Sequence, residues 1–315
     1  MQERKSPRIG IIGTGAIGGF YGLMLARAGF DVHFLLRSEY DAVVENGLQL
    51  NSAVYGSLHL QPVQAWASVE QIPPCDWLLV GTKTTSNAEL APLLSKAAAP
   101  GAKVVLLQNG LAVEEQLRPS LPDSLHLLGG LCFICIHRSA PGVIEHQALG
   151  AVNLGYHSGP VTSAQERQSV VDEGAALLQA AGLESVAMPN LESARWQKLV
   201  WNVPYNGLSV LLNSGTRGLM DNADSRALIL ALMLEVGQGA AACGHVMPDG
   251  YAEKLLLATE RMPDYLPSMY HDFAQHRPLE LQAIYAAPLA AAAAAGRELP
   301  KMRALYQALR FLDRR

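Results

Sequence analysis

Charged residues, aromatic residues and cysteines are all scarce in this chain of 315 residues, and positive charge is not in excess. Charged residues make up 17% of the chain and aromatic residues 6%, whereas hydrophobic residues make up 50%. A chain this apolar can bury a compact core, which excludes an intrinsically disordered protein. The 24 Lys and Arg residues are outnumbered by 28 Asp and Glu residues, giving a net charge of −4, so a nucleic-acid-binding protein is not expected.

The four cysteines are too few for the disulfide framework of a small secreted protein, and they are typical of reduced thiols in a cytoplasmic protein. Cys132 and Cys135 form a C-x-x-C pair. No second Cys or His pair follows it at the spacing of a zinc site. The sequence therefore predicts neither a disulfide scaffold nor a bound metal.

The chain also lacks a long hydrophobic run. The apolar run over residues 9–12 is too short for the core of a signal peptide. The alanine-rich segment over residues 286–295 is about half as long as the roughly 20 residues that span a bilayer, and it is typical of a close-packed core helix. We therefore expect a cytoplasmic protein with neither a membrane nor a nucleic acid among its partners. The sequence leaves open whether the chain forms a homodimer.

Short apolar runs alternate with helical segments from residue 8 to about residue 188. Runs typical of strands start at Ile9, Asp31, Trp77 and Lys103, and such alternation predicts a parallel sheet covered by helices. Short apolar runs without helical spacing cover residues 127–155, which predicts antiparallel strands at the edge of this sheet. After residue 189 the strand signals nearly vanish and helical periodicity dominates.

At roughly 150 residues per domain, the length of the chain predicts two domains. We expect an α/β Rossmann-type N-terminal domain in residues 1–189, with a mostly parallel sheet and an antiparallel edge. We expect an all-α C-terminal domain in residues 190–315.

A G-x-G-x-x-G motif lies between the first predicted strand and a helix predicted over residues 16–27. Its first glycine allows a tight turn, its second lets a pyrophosphate approach the backbone, and its third allows the helix to pack closely on the strand. The N–H groups at the start of the helix attract the anion. This motif predicts dinucleotide binding, and its residues are Gly13, Thr14, Gly15, Ala16, Ile17 and Gly18.

The end of the second predicted strand indicates which dinucleotide binds. An NAD enzyme places a carboxylate there for the ribose hydroxyls, about 20 residues past the glycines. This chain has Arg37 and Ser38 at that point, and a guanidinium beside a hydroxyl favours the 2′-phosphate of NADP(H). The alternative is a solvated Arg37, with Glu39 as the ribose carboxylate.

Lys198, Asn202 and Asn206 recur at intervals of four residues in a segment with helical periodicity. This spacing brings one ammonium and two amides to the same face of a helix. If that face points into the interior, its polar groups need partners, and a bound ligand could supply them. If it does not, the three residues form an exposed polar stripe.

A second polar cluster follows near residues 267–280. It contains Ser268, Asp272 and Glu280. Taken alone, these side chains could cap helices or pair with arginines at the surface.

Several motifs occur in one order along most of the chain, and together they resemble the ketopantoate reductase family (2-dehydropantoate 2-reductase). No single motif is decisive, but an ordered set is hard to obtain by chance. The motifs are the glycine turn 13–18, Arg37 at the strand end, Lys83 of Gly81-Thr82-Lys83, Asn109-Gly110, the Pro-Gly-x-x-x-His of residues 141–146, the R-W-Q-K-L-x-x-N-x-x-x-N of residues 195–206, and the P-S-M-x-x-D with R-P-x-E of residues 267–280.

The resemblance implies an NADPH-dependent reductase that converts a 2-keto acid to its 2-hydroxy acid, with 2-dehydropantoate as the first candidate and pantothenate biosynthesis as the pathway. Lys198 occupies the position of the lysine that protonates the ketone as hydride arrives from the nicotinamide. Glu280 is implied to help hold the cofactor and this lysine in place.

The resemblance also assigns the remaining polar residues. Asn202, Asn206 and Ser268 are implied to bind the carboxylate and hydroxyl of the substrate. Asn109 is implied to lie between nicotinamide and substrate, and Lys83 beside the cofactor and the keto acid.

Two positions depart from the family pattern. Thr216 and Tyr265 stand where the family has asparagines that help to bind pantoate. The same chemistry on a different branched 2-keto acid is therefore an alternative. A non-catalytic NADP-binding sensor is another.

Overall fold

The computed structural model describes residues 6–314, which form two compact units. The first unit contains the residues up to Gln108 together with Val113–Leu191. The second contains Asn109–Ala112 and the residues from Glu192 onward. The domain boundary near residue 189 stays a prediction, and the loop 109–112, which the sequence analysis assigned to the first domain, groups with the second unit.

The first unit is built on a nine-stranded sheet in the order β4-β3-β9-β8-β7-β6-β1-β2-β5. The pairs β3–β4 and β8–β9 are antiparallel, and the six other neighbouring pairs are parallel. The predicted fold class, with its mostly parallel sheet and antiparallel edge, is confirmed. The strands are β1 (Arg8–Ile12), β2 (Asp31–Leu35), β3 (Leu48–Ser52), β4 (Gly56–Leu60), β5 (Ala65–Trp66), β6 (Cys75–Val80), β7 (Ala98–Leu106), β8 (His126–Ala140) and β9 (Val143–Ser158).

The predicted position of the antiparallel segment 127–155 is wrong. It forms β8 and β9, which pair antiparallel, but β8 also pairs with β7 and β9 also pairs with β3. The hairpin β3–β4 forms the edge instead. Its strands are short and mix polar with apolar residues, so only Leu48 and Leu50 of β3 are fully buried and the apolar signal is weak.

Five α-helices pack against this sheet. Phe20 and Tyr21 of the first helix and Val171 and Leu178 of the fifth lie in one apolar core with the strands. These helices are α1 (Ala16–Arg27), α2 (Tyr40–Asn46), α3 (Leu90–Ala97), α4 (Val113–Leu117) and α5 (Ala164–Ala180), and a 3-10 helix covers Thr84–Glu89.

The second unit is helical, as predicted. Its core contains Trp196, Leu199 and Val203 of the first helix, packed with Leu232 and Ile284 from later ones. The helices are α6 (Leu191–Leu211), α7 (Thr216–Asp221), α8 (Ala223–Ala242), α9 (Tyr251–Glu260), α10 (Ser268–Ala274), a π-helix (Gln282–Ala286), α11 (Ala287–Ala294) and α12 (Pro300–Asp313).

By length and composition alone, α8 could cross a membrane. Its residues Ile229, Leu232 and Met233 are at most 1% exposed and lie in the core of the helical unit. In this structure α8 is a core helix. The alanine-rich segment forms α11, which buries Pro288 and Leu289.

A buried carboxylate on α8 caps the start of α12. Glu235 is 5% exposed. Its Oε1 accepts from the N–H of Lys301 at 3.1 Å, and its Oε2 accepts from the N–H of Met302 at 2.7 Å. Both contacts satisfy N–H groups that a helix start leaves without intrahelical partners.

We expect Glu235→Leu to lower the free energy of unfolding by about 2 kcal/mol, because the N–H of Met302 in a buried hydrogen bond and that of Lys301 in a partly buried one lose their acceptor. Urea and thermal denaturation measure this change. Glu298→Leu is the control, because the exposed pair of Glu298 with Arg303 is worth at most about 1 kcal/mol. Equal losses in the two variants would contradict the assigned cap.

Candidate active site

The glycine turn after β1 is packed as the motif predicts. Gly13 has a φ of +93°, which favours glycine. A Cβ on Gly18 would lie 2.2 Å from the carbonyl oxygen of Gly13, so only glycine lets α1 approach the turn this closely. Thr14 Oγ1 donates to the carbonyl of Leu35 at 3.0 Å, which ties the turn to the end of β2.

The second glycine differs from its neighbours because no atom of residues 6–314 occupies the space beside it. Within that described part of the chain, a Cβ on Gly15 would have no contact within 4 Å. Gly15 is also the N-cap of α1, and as a glycine it offers this helix no side-chain cap. Backbone N–H groups at an uncapped helix start, next to open space, fit a dinucleotide pyrophosphate.

Arg37 and Glu39 differ sharply in environment at the end of β2. The side chain of Arg37 is 74% exposed, and its Nη1 lies 3.7 Å from Glu89 Oε2 on the surface. Glu39 is 7% exposed. Its Oε2 accepts from the N–H of Gly142 at 3.1 Å, and its Oε1 forms an ion pair with Arg138. Glu39 therefore joins α2 to the β8–β9 turn.

Lys83 directly precedes the 3-10 helix that follows β6. Because β6, β1 and β2 are adjacent parallel strands, Lys83, the glycine turn and Arg37 follow the carboxyl ends of neighbouring strands. That edge is where open α/β sheets bind ligands.

Gln108 is a site residue that the sequence analysis missed. Its Nε2 donates to the carbonyl of Thr82 at 3.0 Å and to Oδ1 of Asn87 at 2.7 Å. It thereby joins the end of β7 to the loop that carries Lys83. Its only sequence signal is its position next to Asn109.

Asn109 lies in the loop 109–112, which the helical unit holds. Gly110 is packed against Ala283, its carbonyl accepts from Nη1 of Arg195 at 3.1 Å, and the N–H of Leu111 donates to the carbonyl of Ala283 at 2.9 Å. Oδ1 of Asn109 is buried and has no hydrogen-bond partner among residues 6–314.

The helix α6 carries Lys198, Asn202 and Asn206 on one face. Asn202 and Asn206 are only 5% and 3% exposed, and Lys198 is half-buried. The two amides therefore do not form the exposed polar stripe of the alternative interpretation. Nδ2 of Asn202 is buried and meets no hydrogen-bond acceptor within the described part of the chain. Such a donor is costly unless a ligand pairs with it.

The second polar cluster surrounds α10 and the segment after it. Ser268 is the first residue of α10, and Met269 beside it packs in the same core as α6. Asp272 is 2% exposed and pairs with Arg277 at 2.9 Å. Glu280 is 4% exposed and directly precedes the helical turn that contains Ala283.

The two positions that depart from the family pattern contact each other. The N–H of Thr216 donates to the carbonyl of Tyr265 at 3.0 Å, and Thr216 Oγ1 accepts from the N–H of Tyr265 at 3.0 Å. Thr216 Oγ1 also lies 3.4 Å from Asp264 Oδ1, its acceptor. The hydroxyl of Thr216 is therefore engaged within the helical unit.

The C-x-x-C pair lies on β8. Cys132 and Cys135 are free thiols, and burial raises the pKa of the Cys135 thiol to about 11. A thiol with so high a pKa is a poor nucleophile at neutral pH. Among residues 6–314, no group of three or more His, Cys, Asp or Glu side chains is arranged to hold a metal ion.

Comparisons with known proteins cover the whole chain. A family model described as ketopantoate reductase PanE/ApbA matches residues 9–159, and one described as ketopantoate reductase PanE/ApbA C terminal matches residues 190–313. The 2-dehydropantoate 2-reductase of Nostoc sp. is 41% identical over 317 residues, covering 100% of this chain and 97% of that protein.

Solved structures share this fold. The 2-dehydropantoate 2-reductase of Geobacter metallireducens is 38% identical, with a TM-score of 0.89 over 96% of this chain and 99% of that one. D-mandelate dehydrogenase in a ternary structure with NADH and anilino(oxo)acetate is 19% identical, with a TM-score of 0.84 over 97% of this chain and 98% of that one. At that identity, the second likeness concerns the fold alone.

Two alanine substitutions in the glycine turn should separate packing from ligand binding. Gly18→Ala should lower the melting temperature, because its Cβ would collide with the Gly13 carbonyl. Gly15→Ala has room for its Cβ, so we expect an unchanged melting temperature and a loss of NADPH affinity of at least about tenfold. Thermal denaturation and NADPH fluorescence titration measure the two effects. Wild-type NADPH affinity in Gly15→Ala would argue against a pyrophosphate at this turn.

Proposed function

The chain belongs to the ketopantoate reductase family, and we propose that it reduces 2-dehydropantoate to pantoate with NADPH, using Lys198 as the proton donor. The family is one of oxidoreductases. The observation that carries the proposal is the face of α6, where the ammonium of Lys198 precedes two buried amides by one and two helical turns. The buried donor on Asn202 supports a ligand at this face.

The proposed chemistry is charge stabilisation followed by proton delivery. NADPH, when bound, supplies a hydride to the carbonyl carbon of the keto acid. As negative charge develops on the carbonyl oxygen, the ammonium of Lys198 stabilises it and donates a proton to that oxygen. The products are the 2-hydroxy acid, NADP⁺ and a neutral Lys198, which regains its proton from water.

The amides have a separate task in this proposal. The substrate carboxylate is an anion that needs donors when it leaves water. Asn202, Asn206 and the hydroxyl of Ser268 can donate to the carboxylate and the substrate hydroxyl without adding a charge. The burial of Asn202 and Asn206 lowers the local dielectric, which strengthens the contacts of their amides.

The remaining residues bind or orient in this proposal. Asn109 lies beside both nicotinamide and substrate, which its buried and unpaired Oδ1 supports. Lys83 interacts with cofactor and keto acid, and Glu280 helps to hold the cofactor and Lys198 in place. The six residues of the glycine turn bind the pyrophosphate.

The choice of NADPH over NADH rests on the end of β2. Arg37 is exposed there and can pair with a 2′-phosphate. The alternative carboxylate, Glu39, is buried with both oxygens engaged by Arg138 and Gly142, which argues against its binding a ribose.

A second candidate function keeps the chemistry and changes the acid. It is favoured by the hydrogen bonds between Thr216 and Tyr265, which engage the Thr216 hydroxyl. Relative rates on a panel of branched 2-keto acids decide between the two. A non-catalytic NADP sensor, the third alternative, predicts NADPH binding without turnover on any of these acids.

Lys198→Ala should lower kcat for ketopantoate by about 10²–10⁴-fold, because the transition state loses its proton donor. The assay is NADPH oxidation followed at 340 nm. The Kd for NADPH should stay within about twofold, since a proton donor to the ketone does not bind the nucleotide. Lys254→Ala, on the exposed surface of α9, is the matched control and should retain activity. Normal turnover in Lys198→Ala would overturn the mechanism.

Arg37→Ala should raise the Kd for NADPH by about 10–100-fold and leave the Kd for NADH almost unchanged, because a charge-assisted hydrogen bond to the 2′-phosphate is lost. Titration with both cofactors measures the ratio. Arg27→Ala removes an exposed charge at the far end of α1 and controls for net charge. Equal losses for the two cofactors in Arg37→Ala would exclude recognition of the 2′-phosphate.

A further inference from the structure

The loop 109–112 is fixed to the helical unit at two points. At one, the carbonyl of Gly110 accepts from the guanidinium of Arg195 at 3.1 Å. At the other, the N–H of Leu111 donates to the carbonyl of Ala283 at 2.9 Å. The backbone of the loop is unusual at these contacts, since Gly110 has a φ of +105° and Ala112 a φ of +60°. Outside contacts are needed to hold such a conformation.

The carbonyl of Ala283 is available because of the π-helix. In an α-helix it would accept from the N–H of Ala287, but that N–H donates to Gln282 instead. The next residue, Pro288, has no N–H to offer. Leu111 supplies the missing donor, so the π-helix after Glu280 provides one of the two hydrogen bonds that hold the loop.

The hydrogen bond to the Gly110 carbonyl comes from the buried side chain of Arg195. It is 4% exposed, and it lies on α6 about one turn before Lys198. Gly110 packs so tightly on Ala283 that an added Cβ would be 2.4 Å from the Cβ of that residue. Three candidate site residues therefore lie close in sequence to the residues that hold this loop. Asn109 is adjacent to Gly110, Lys198 lies about one helical turn after Arg195, and Glu280 lies about one turn before Ala283.

We propose that Arg195 is a positioning residue for the reductase reaction, which holds Asn109 in register with Lys198 through its hydrogen bond to the Gly110 carbonyl. The inference rests on the proposed function. Its physical basis is that the reacting groups must be aligned closely, and a displacement of about 1 Å can cost about 10²-fold in rate. Loss of the guanidinium removes the hydrogen bond at Gly110 and leaves that between the Leu111 N–H and the Ala283 carbonyl.

The test compares Arg195→Met, which keeps an unbranched apolar stem but has no donor, with Arg195→Lys, which keeps the charge and can still donate to a carbonyl. We expect Arg195→Met to lower kcat for ketopantoate about 10²-fold while the Kd for NADPH changes less than twofold. Arg195→Lys should recover at least tenfold of this loss. Arg303→Met, which removes an exposed arginine of α12, should behave as wild type.

Hydrogen exchange at the Leu111 amide gives a readout that needs no turnover. Its protection should fall in Arg195→Met and return in Arg195→Lys. Wild-type kcat in Arg195→Met, or equal losses of kcat in both variants, would overturn the positioning role. If the wild-type protein reduces no 2-keto acid, the proposed function fails, and unchanged Leu111 protection in Arg195→Met would then overturn the inference independently.

A second variant covers the case in which Arg195→Met does not fold. Gly110→Ala leaves Arg195 in place but pushes the loop off Ala283. Gly101→Ala is its matched control, because Gly101 also has a positive φ, +72°, but open space around it. A fall in kcat and Leu111 protection confined to Gly110→Ala supports the inference, and equal behaviour of the two variants overturns it.

Discussion

Burial of polar side chains among apolar ones is the constraint on which the candidate site depends. Trp196, Leu199 and Val203 hold α6 in the core of the helical unit, and this brings Asn202 and Asn206 out of water with it. A buried amide without a partner costs free energy comparable to a lost hydrogen bond. The helix therefore keeps a polar face on the same side as Lys198, and in the proposed function the substrate carboxylate supplies the partners of its amides.

In the first unit, the constraint is the close backbone contact within the glycine turn 13–18. Gly18 lies against the Gly13 carbonyl, and Gly15 faces open space. The same turn thus contains a position where a side chain cannot fit and another where a side chain would occupy room for a ligand. Packing requires glycine at residue 18, and under the proposed function the open space at residue 15 admits the pyrophosphate.

Patterns among neighbouring residues were sufficient to predict several parts of the fold and of the candidate site. The glycine turn, the spacing on α6 and the loss of strand signals after residue 189 depend on neighbours in sequence, and the structure has the corresponding turn and helices. The pairing of β3 with β9, the contact of Arg195 with Gly110 and the contact of Leu111 with the π-helix at Ala283 depend on partners far along the chain. No periodicity in Leu48–Ser52 or in Gln282–Ala286 indicates those partners, so sequence patterns could not find them.

Long-range pairing also explains why single positions are poor guides to the substrate. Thr216 and Tyr265 depart from the family pattern separately in sequence, yet their backbones and the Thr216 hydroxyl are joined by reciprocal hydrogen bonds. An asparagine at residue 216 would replace the Oγ1 that accepts from the buried Tyr265 N–H, and its amide oxygen would have to take over that hydrogen bond. Because Tyr265 takes part through its backbone N–H and carbonyl, the side chain that this contact engages is that of Thr216.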